Sequence, residues 1–343
     1  MVYIHNVITA QEIAAYVNEL GTRTQELVGA RLFPARKQLG LKLTHVKGAN
    51  GQPVVLRASA FDTKATFRDR MEVELMDETM PFFKEAMLVK EADRQQLNTL
   101  SQTGNQTLIN TVLGSIFNDS ANLVAGARAR LEAMRMQVLA TGKIAIKSNG
   151  VAQDFDYGVD EANQGGVDTA WGEEGATPLQ DLQDAIESLR ALGGRAEVIY
   201  LNSKTYGDLR KGTDTIAMIG ENGVVRNSAI ETFFNDEYGV RIAQINDVFI
   251  DDDGNTKKYF PDGRVTLAPN ATLGNTVFGT SPEESDLVSG ANLNVEVVDT
   301  GIAITTNKTV DPVNVETKVS MVALPSFENI GQVYMLDVGT DSI

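Results

Sequence analysis

Cysteine is absent from all 343 residues, which excludes disulfides, thiolate nucleophiles and cysteine-ligated zinc. The chain fits a reducing compartment. Histidine is almost absent: His5 and His45 are the only two. Both lie in the first fifth, and they would reach a triad or a metal site only by folding back onto distant partners. They read as packed or solvent-facing side chains. No apolar run approaches the ~20 residues that cross a bilayer. The opening "MVYIHNVITAQEI" lacks a basic stretch followed by an apolar one, so neither a membrane span nor a signal peptide is visible. Phosphate-loop, dinucleotide, nucleophile-elbow and His-Glu-x-x-His motifs are also missing. Asn-x-Ser/Thr triplets at Asn105, Asn118 and Asn270 carry no meaning without a secretory signal.

What is present describes a folded protein. Hydrophobic residues make up 42% and charged residues 22%, an ordinary globular balance, and the length allows one to three domains with a sizeable core. The net charge of −16 is unevenly spread. Residues 1–147 carry 18 Lys and Arg against 14 Asp and Glu, a net of +4; residues 148–343 carry 12 against 32, a net of −20. An acidic second half disfavours sequence-specific nucleic-acid binding. It reads either as a solvated surface or as one that takes the basic part of a neighbouring copy.

Along the chain, Thr9-Ala-Gln-Glu12 is a capping box for a short helix through Leu20, stopped by Gly21. A second helical stretch within residues 22–40 ends before Pro34. From Leu41 the pattern alternates like strands around an Asn50-Gly51 turn and continues through "KATFRDRMEVEL", a ribbon with too few large apolar residues to build its own core. Between Pro81 and Gly142 the reading is helical. Leu108, Val112, Ile116, Leu123, Ala127, Leu131, Met134 and Val138 recur at helical spacing, with Asn118, Asp119 and Ser120 leaving open one helix or two. A hairpin with a Ser148-Asn149-Gly150 turn follows, with Ile144, Ile146, Val151 and Phe155 on its strands; residues 158–175 read as a Gly-rich acidic linker. Then comes a helix with Thr177 as N-cap, Pro178 at its first position, Gln180 closing the box, Gly193 as the stop, and Leu179, Leu182, Ile186, Leu189 and Leu192 as its stripe. Alternating strands and helices make residues 176–278 a compact α/β or α+β domain.

Chemistry-bearing candidates are weak. In "FIDDDGNTKKYF", placing Gly254 at the sixth position of a calcium loop puts Phe249 first and Phe260 twelfth, where oxygen ligands are required. An Asp-Gly hairpin turn explains the same residues. The pairs Glu173 with Glu174 and Glu283 with Glu284 sit in polar stretches with nothing to desolvate one member. No catalytic, cofactor-binding or metal residue is assigned.

Three stretches carry a resemblance. "VFIDDDGNTKKYFPDGRVTLAPNATLGNTVFG", "VETKVSMVALPSFENIGQVYMLDV" and "LATGKIAI" resemble segments of lambda-type major capsid proteins of tailed phages. The order of elements resembles the α+β Hong Kong 97-type capsid fold. That resemblance implies an N-terminal arm (1–40), an extended β-hairpin loop (41–80), a spine helix with the first part of a peripheral domain (81–170), an axial domain (171–300) and closing peripheral strands (301–343). Lys47, Asn50, Gly51, Arg57, Lys64, Arg68 and Arg70 on the ribbon are the expected contacts with neighbouring copies. Phe260, Pro261, Asp262, Gly263, Gly274, Asn275 and Pro325 are structural positions of the matching stretches.

The function implied is that of a head protein forming pentamers and hexamers of an icosahedral shell around a double-stranded DNA genome. Its partners would be itself, a separate scaffold protein, a portal and a decoration protein, with packaged DNA contacted without sequence specificity and no membrane involved. It would be assembled in the host cytoplasm and reside in the virion. Two alternatives stand beside this one: an encapsulin-like nanocompartment shell, and an acidic soluble hydrolase built on residues 176–278. A carboxylate pair with a shifted pKa in a concave pocket would favour the hydrolase.

Overall fold

The computed structural model describes residues 8–21, 27–47, 74–89, 91–103, 106–290, 294–310 and 313–339. Thr9 opens helix α1 (Ala10–Gly21) as its sequence predicts. The Glu12 amide donates to the Thr9 hydroxyl at 3.3 Å, and that hydroxyl donates to the Glu12 carboxylate. Helix α2 (Val28–Leu32) stops before Pro34, and strand β1 (Ala35–Lys37) follows. Strands β2 (Lys42–Lys47) and β3 (Glu74–Thr79) pair as a two-stranded ribbon. The Asn50-Gly51 turn expected between them lies outside the described residues, as does His5.

The helical reading from Pro81 needs correction, because Phe82–Leu88 forms strand β4. A short apolar run cannot be assigned by periodicity alone; here pairing with a strand more than 200 residues later decides it. Helix α3 (Glu91–Thr103) precedes α4 (Gln106–Thr141), a single helix of 36 residues and therefore about 54 Å long. Asn118, Asp119 and Ser120 do not break it. The Ser120 hydroxyl donates to the Ile116 carbonyl at 3.1 Å, and the Asn118 carboxamide accepts the Tyr16 hydroxyl. Leu108 is exposed at the start of α4, whereas every residue from Leu131 to Ala140 except Gln137 is buried. The helix passes from a one-sided surface rod to a buried spine.

Strands β5 (Lys143–Ser148) and β6 (Val151–Asp156) form the expected hairpin, with Asn149 and Gly150 at φ 47° and 74° in its turn. Ile144, Ile146 and Phe155 are buried, but Val151 is exposed. Residues 158–175 are no linker. Strand β7 (Gln164–Gly166) joins a sheet, the Asn163 side chain donates to the carbonyls of Gly331 and Val333, and Trp171 is buried. Gly165 is needed for close approach, since a Cβ there would lie 2.5 Å from the Tyr334 hydroxyl.

Helix α5 (Pro178–Ala191) buries Leu179, Leu182, Ile186 and Leu189 but ends before Leu192, which is exposed. Thr177 makes no side-chain cap. The Gln180 amide donates instead to the Asp214 carboxylate at 2.9 Å. Next come β8 (Val198–Leu201), α6 (Ser203–Lys211), α7 (Thr213–Ile219), α8 (Asn227–Tyr238) and β9 (Arg241–Gln244). The hairpin β10 (Val248–Ile250) and β11 (Thr256–Lys258) leads to β12 (Arg264–Ala268), β13 (Thr276–Phe278) and α9 (Pro282–Ser289). The chain closes with β14 (Val295–Val298), β15 (Ile302–Val310), β16 (Val313–Pro325) and β17 (Tyr334–Asp337).

Two compact units result, one from residues 1–43, 77–135 and 275–326, the other from 44–76, 136–274 and 327–343. The first holds a six-stranded sheet ordered β1-β13-β16-β15-β14, with β4 also on β16. Helix α1 lies on β14 and β15 and buries Ile13, Ala14 and Val17. The described part of the expected arm is thus packed, because an i, i+1, i+4 apolar stripe needs a partner surface. The second unit holds a mixed sheet ordered β7-β17-β12-β8-β9, with α5, α6 and α8 contributing to its core. The units cut across the five contiguous segments read from sequence: β13, α9 and β14 belong to the first, and β17 belongs to the second.

Candidate assembly surfaces

The residues expected to touch neighbouring copies fall mostly outside the described chain. Lys47 ends β2, while Asn50, Gly51, Arg57, Lys64, Arg68 and Arg70 lie in the segment between β2 and β3 that is not described. The base of that ribbon is in place, since β2 pairs with β3.

The Phe-Pro-Asp-Gly stretch is a structural tie. Phe260 is fully buried, and the Asp262 carboxylate accepts from Asn202 Nδ2 and from Lys258 Nζ, both at 2.6 Å. Asn202 also donates to the Phe260 carbonyl and caps α6 by accepting the Thr205 amide at 2.9 Å. The Thr205 hydroxyl in turn accepts the Gly263 amide at 3.1 Å. Burial pushes the Asp262 carboxyl up, but hydrogen bonds from Lys258 and Asn202 hold it below the usual carboxylate range. Gly263 sits at φ 68°, and a Cβ there would fall 2.8 Å from the Gly339 Cα. The sequence marks Asn202 only as the start of a short helix; its tie and that of Thr205 to residues 260–263 were not legible because those partners lie about 60 residues away.

A second tie gathers Asn275 and Pro325 in the first unit. The Asn275 amide donates to the Ser326 hydroxyl, the Ser326 amide donates to the Asn275 carbonyl, and Pro325 stands opposite Thr276 in the β13–β16 register. Gly274 is buried. The Thr276 hydroxyl accepts from Arg135 Nε at 2.8 Å and donates to the Phe33 carbonyl. Arg135 also meets Glu132 at 3.3 Å, and the Glu132 carboxylate accepts the Gly29 amide at 2.7 Å. Both charges are buried. A Cβ on Gly29 would lie within 2.6 Å of Glu132, so glycine admits the carboxylate. The one signal in the sequence is a Glu and an Arg three apart inside "LEAMRMQVLA".

The acidic candidates hold structure together. Asp251 accepts the amides of Asp253 and Asn255 and pairs with Lys257 at 2.9 Å, which builds its turn. Glu283 pairs with Lys318 and accepts from the Ser320 hydroxyl; Glu284 pairs with Lys37. Burial pushes the Asp181 carboxyl up, and Trp171 Nε1 donates to it at 2.8 Å. Two hollows among the described residues lack a carboxylate pair. One, of about 400 Å³, is lined by Gln164, Arg264 and Asp337, the last two ion-paired at 2.7 Å. The other, of about 480 Å³, is lined by Met218, Val224, Arg226 and Phe233.

Exposed apolar side chains stand out instead. Leu39, Leu41, Phe82, Met87 and Leu88 in the first unit, and Met218, Val224, Val248 and Ile250 in the second, are exposed.

A model of the phage major capsid protein E family matches residues 9–338. The chain belongs to that family. It is a capsid shell protein, and its α+β Hong Kong 97-type fold is that of solved phage capsid proteins. A protein assigned as the capsid protein of an Escherichia coli CFT073 prophage matches with a TM-score of 0.58 and 14% identity over 97% of this chain and 99% of that one. A phage-related protein from Bordetella bronchiseptica RB50 gives 0.54 and 12% over 97% and 98%. The capsid asymmetric unit of cyanophage A-1(L) gives 0.53 and 11% over 92% of each chain. Comparison with curated proteins gives no significant match. For this capsid protein the encapsulin alternative is the weaker, since the matching family is one of phage capsids.

Proposed function

We propose that this capsid protein forms the pentamers and hexamers of an icosahedral shell enclosing the double-stranded DNA of a tailed phage. The family match over residues 9–338 carries the proposal. In this reading the first unit, with α4 as far as Arg135 and the long β15–β16 hairpin, is the peripheral domain, and the second unit is the axial domain. The ribbon begun by β2 and β3 overlaps a neighbouring copy through Lys47, Asn50, Gly51, Arg57, Lys64, Arg68 and Arg70. Two isolated strands are marginal alone, so this ribbon draws stability from the copy it covers.

The role is structural and non-catalytic. Assembly takes place in the host cytoplasm with a separate scaffold protein, a portal and a decoration protein as partners. The acidic second half, net −20, keeps contact with packaged DNA weak and indifferent to sequence. Deleting residues 47–70 tests the ribbon. The shortened chain should fold, with unchanged circular dichroism of the second unit's helices, yet sediment as a species near 37 kDa or below under conditions where the full chain forms large particles. Particle formation at the full-length yield would contradict the bridging role.

A further inference from the structure

Two exposed features of the second unit complement each other. The first is the hollow between α7 and α8, whose apolar wall is Met218, Ile219, Val224 and Phe233. Met218 and Val224 are 63% and 60% exposed. Glu221 and Arg226 also line it, and among the described residues the Arg226 guanidinium has no hydrogen-bond or ion-pair partner. That is unusual here, because Arg190, Arg210, Arg241 and Arg264 each hold a carbonyl or carboxylate oxygen.

The second feature is the β10–β11 hairpin. Its register puts Val248, Ile250, Thr256 and Lys258 on one face, the last paired with Asp262, while Phe249 stacks on Tyr259 on the other at 4.9 Å. Val248 and Ile250 are 53% and 73% exposed. Its turn is Asp251-Asp252-Asp253-Gly254, with Asp251 consumed by the turn itself and Asp253 facing solvent.

We propose that the β10–β11 hairpin of one copy docks into the α7–α8 hollow of the next, with Val248 and Ile250 against Met218, Val224 and Phe233, and Asp253 facing Arg226. The occupant is a second copy of this chain, and this rests on the shell function proposed above. Charge complementarity argues for it, since an acidic turn meets an unpaired cation in an otherwise acidic half. The apolar faces match in character, and both lie uncovered within a single chain. Because knob and hollow are different patches, the contact runs head to tail, the kind that closes rings.

The absence of cysteine makes the test clean. Two single-cysteine variants, Ile250→Cys and Met218→Cys, are co-assembled, mildly oxidised and run on a non-reducing gel beside wild-type particles imaged by electron microscopy. The mixture should give a cross-linked dimer that neither variant gives alone, and a chain carrying both cysteines should give a ladder ending at ring size. In a second arm, Arg226→Glu should lower particle yield roughly tenfold, and adding Asp253→Arg should restore it. Wild-type-like particles with no mixed cross-link, or an Ile250→Cys chain that pairs with itself, would overturn the docking while leaving the shell function intact. Wild-type chains that form neither rings nor shells would contradict both.

Discussion

Arg135 shows how much one side chain can hold. It is nearly buried, pairs with Glu132 and hydrogen-bonds Thr276, while Glu132 receives the Gly29 amide. Removing one partner takes from the other its opposite charge in a desolvated site, which costs more than the pair itself contributes. Arg135→Met should therefore destabilise the first unit by about 3 kcal/mol, read from urea unfolding, and adding Glu132→Gln should recover part of the loss. A double variant that loses the sum of the two single losses would show that the pair is not coupled. Asp251 governs a different property. Lys257 and the Asn255 amide hold its carboxyl at about 2, below its ordinary 3.8. A depressed folded pKa gives stabilisation that is complete above the ordinary value and lost as pH falls through the folded one. The β10–β11 turn should stay closed from neutral pH down to about 4 and open towards pH 2. NMR titration of the Asp251 carboxyl should show a midpoint near 2, whereas a midpoint of 3.8 or above would contradict the pairing.

Among elements, α5 separates what the sequence displays from what it hides. Pro178, the stripe Leu179, Leu182, Ile186 and Leu189, and the stop near Gly193 were legible, because each depends on local backbone and a repeating pattern. The cap was not. Asp214 lies 34 residues on, and it takes the Gln180 amide that Thr177 was expected to serve. Asp214→Ala should cost about 1 kcal/mol and Thr177→Ala much less, as thermal unfolding would show; the reverse order would restore the local cap. The same limit explains β4 and β7. Both were misread because a distant strand, β16 or β17, supplies the pairing that makes them strands. The Asn149-Gly150 hairpin succeeded because positive φ at both turn residues is a local requirement.

At the scale of the whole molecule, the resemblance carried by the Phe-Pro-Asp-Gly and Leu-Gly-Asn-Thr stretches pointed to the fold correctly, and the family match over residues 9–338 agrees with it. The residues of those stretches turn out to tie turns together: Asp262 to Asn202, and Asn275 to Ser326. They shape the subunit. Exposed apolar positions were harder to read, since nothing in the local pattern tells the exposed Ile250 of β10 or Met218 of α7 from a buried aliphatic. The uneven charge, +4 against −20, belongs to the same scale, because opposite signs on one chain favour ordered contact between copies and weaken it as salt rises. Electron microscopy of the purified, concentrated chain is the most direct measurement. A shell protein gives five- and sixfold rings or closed particles, and a field of compact monomers at high concentration would contradict it.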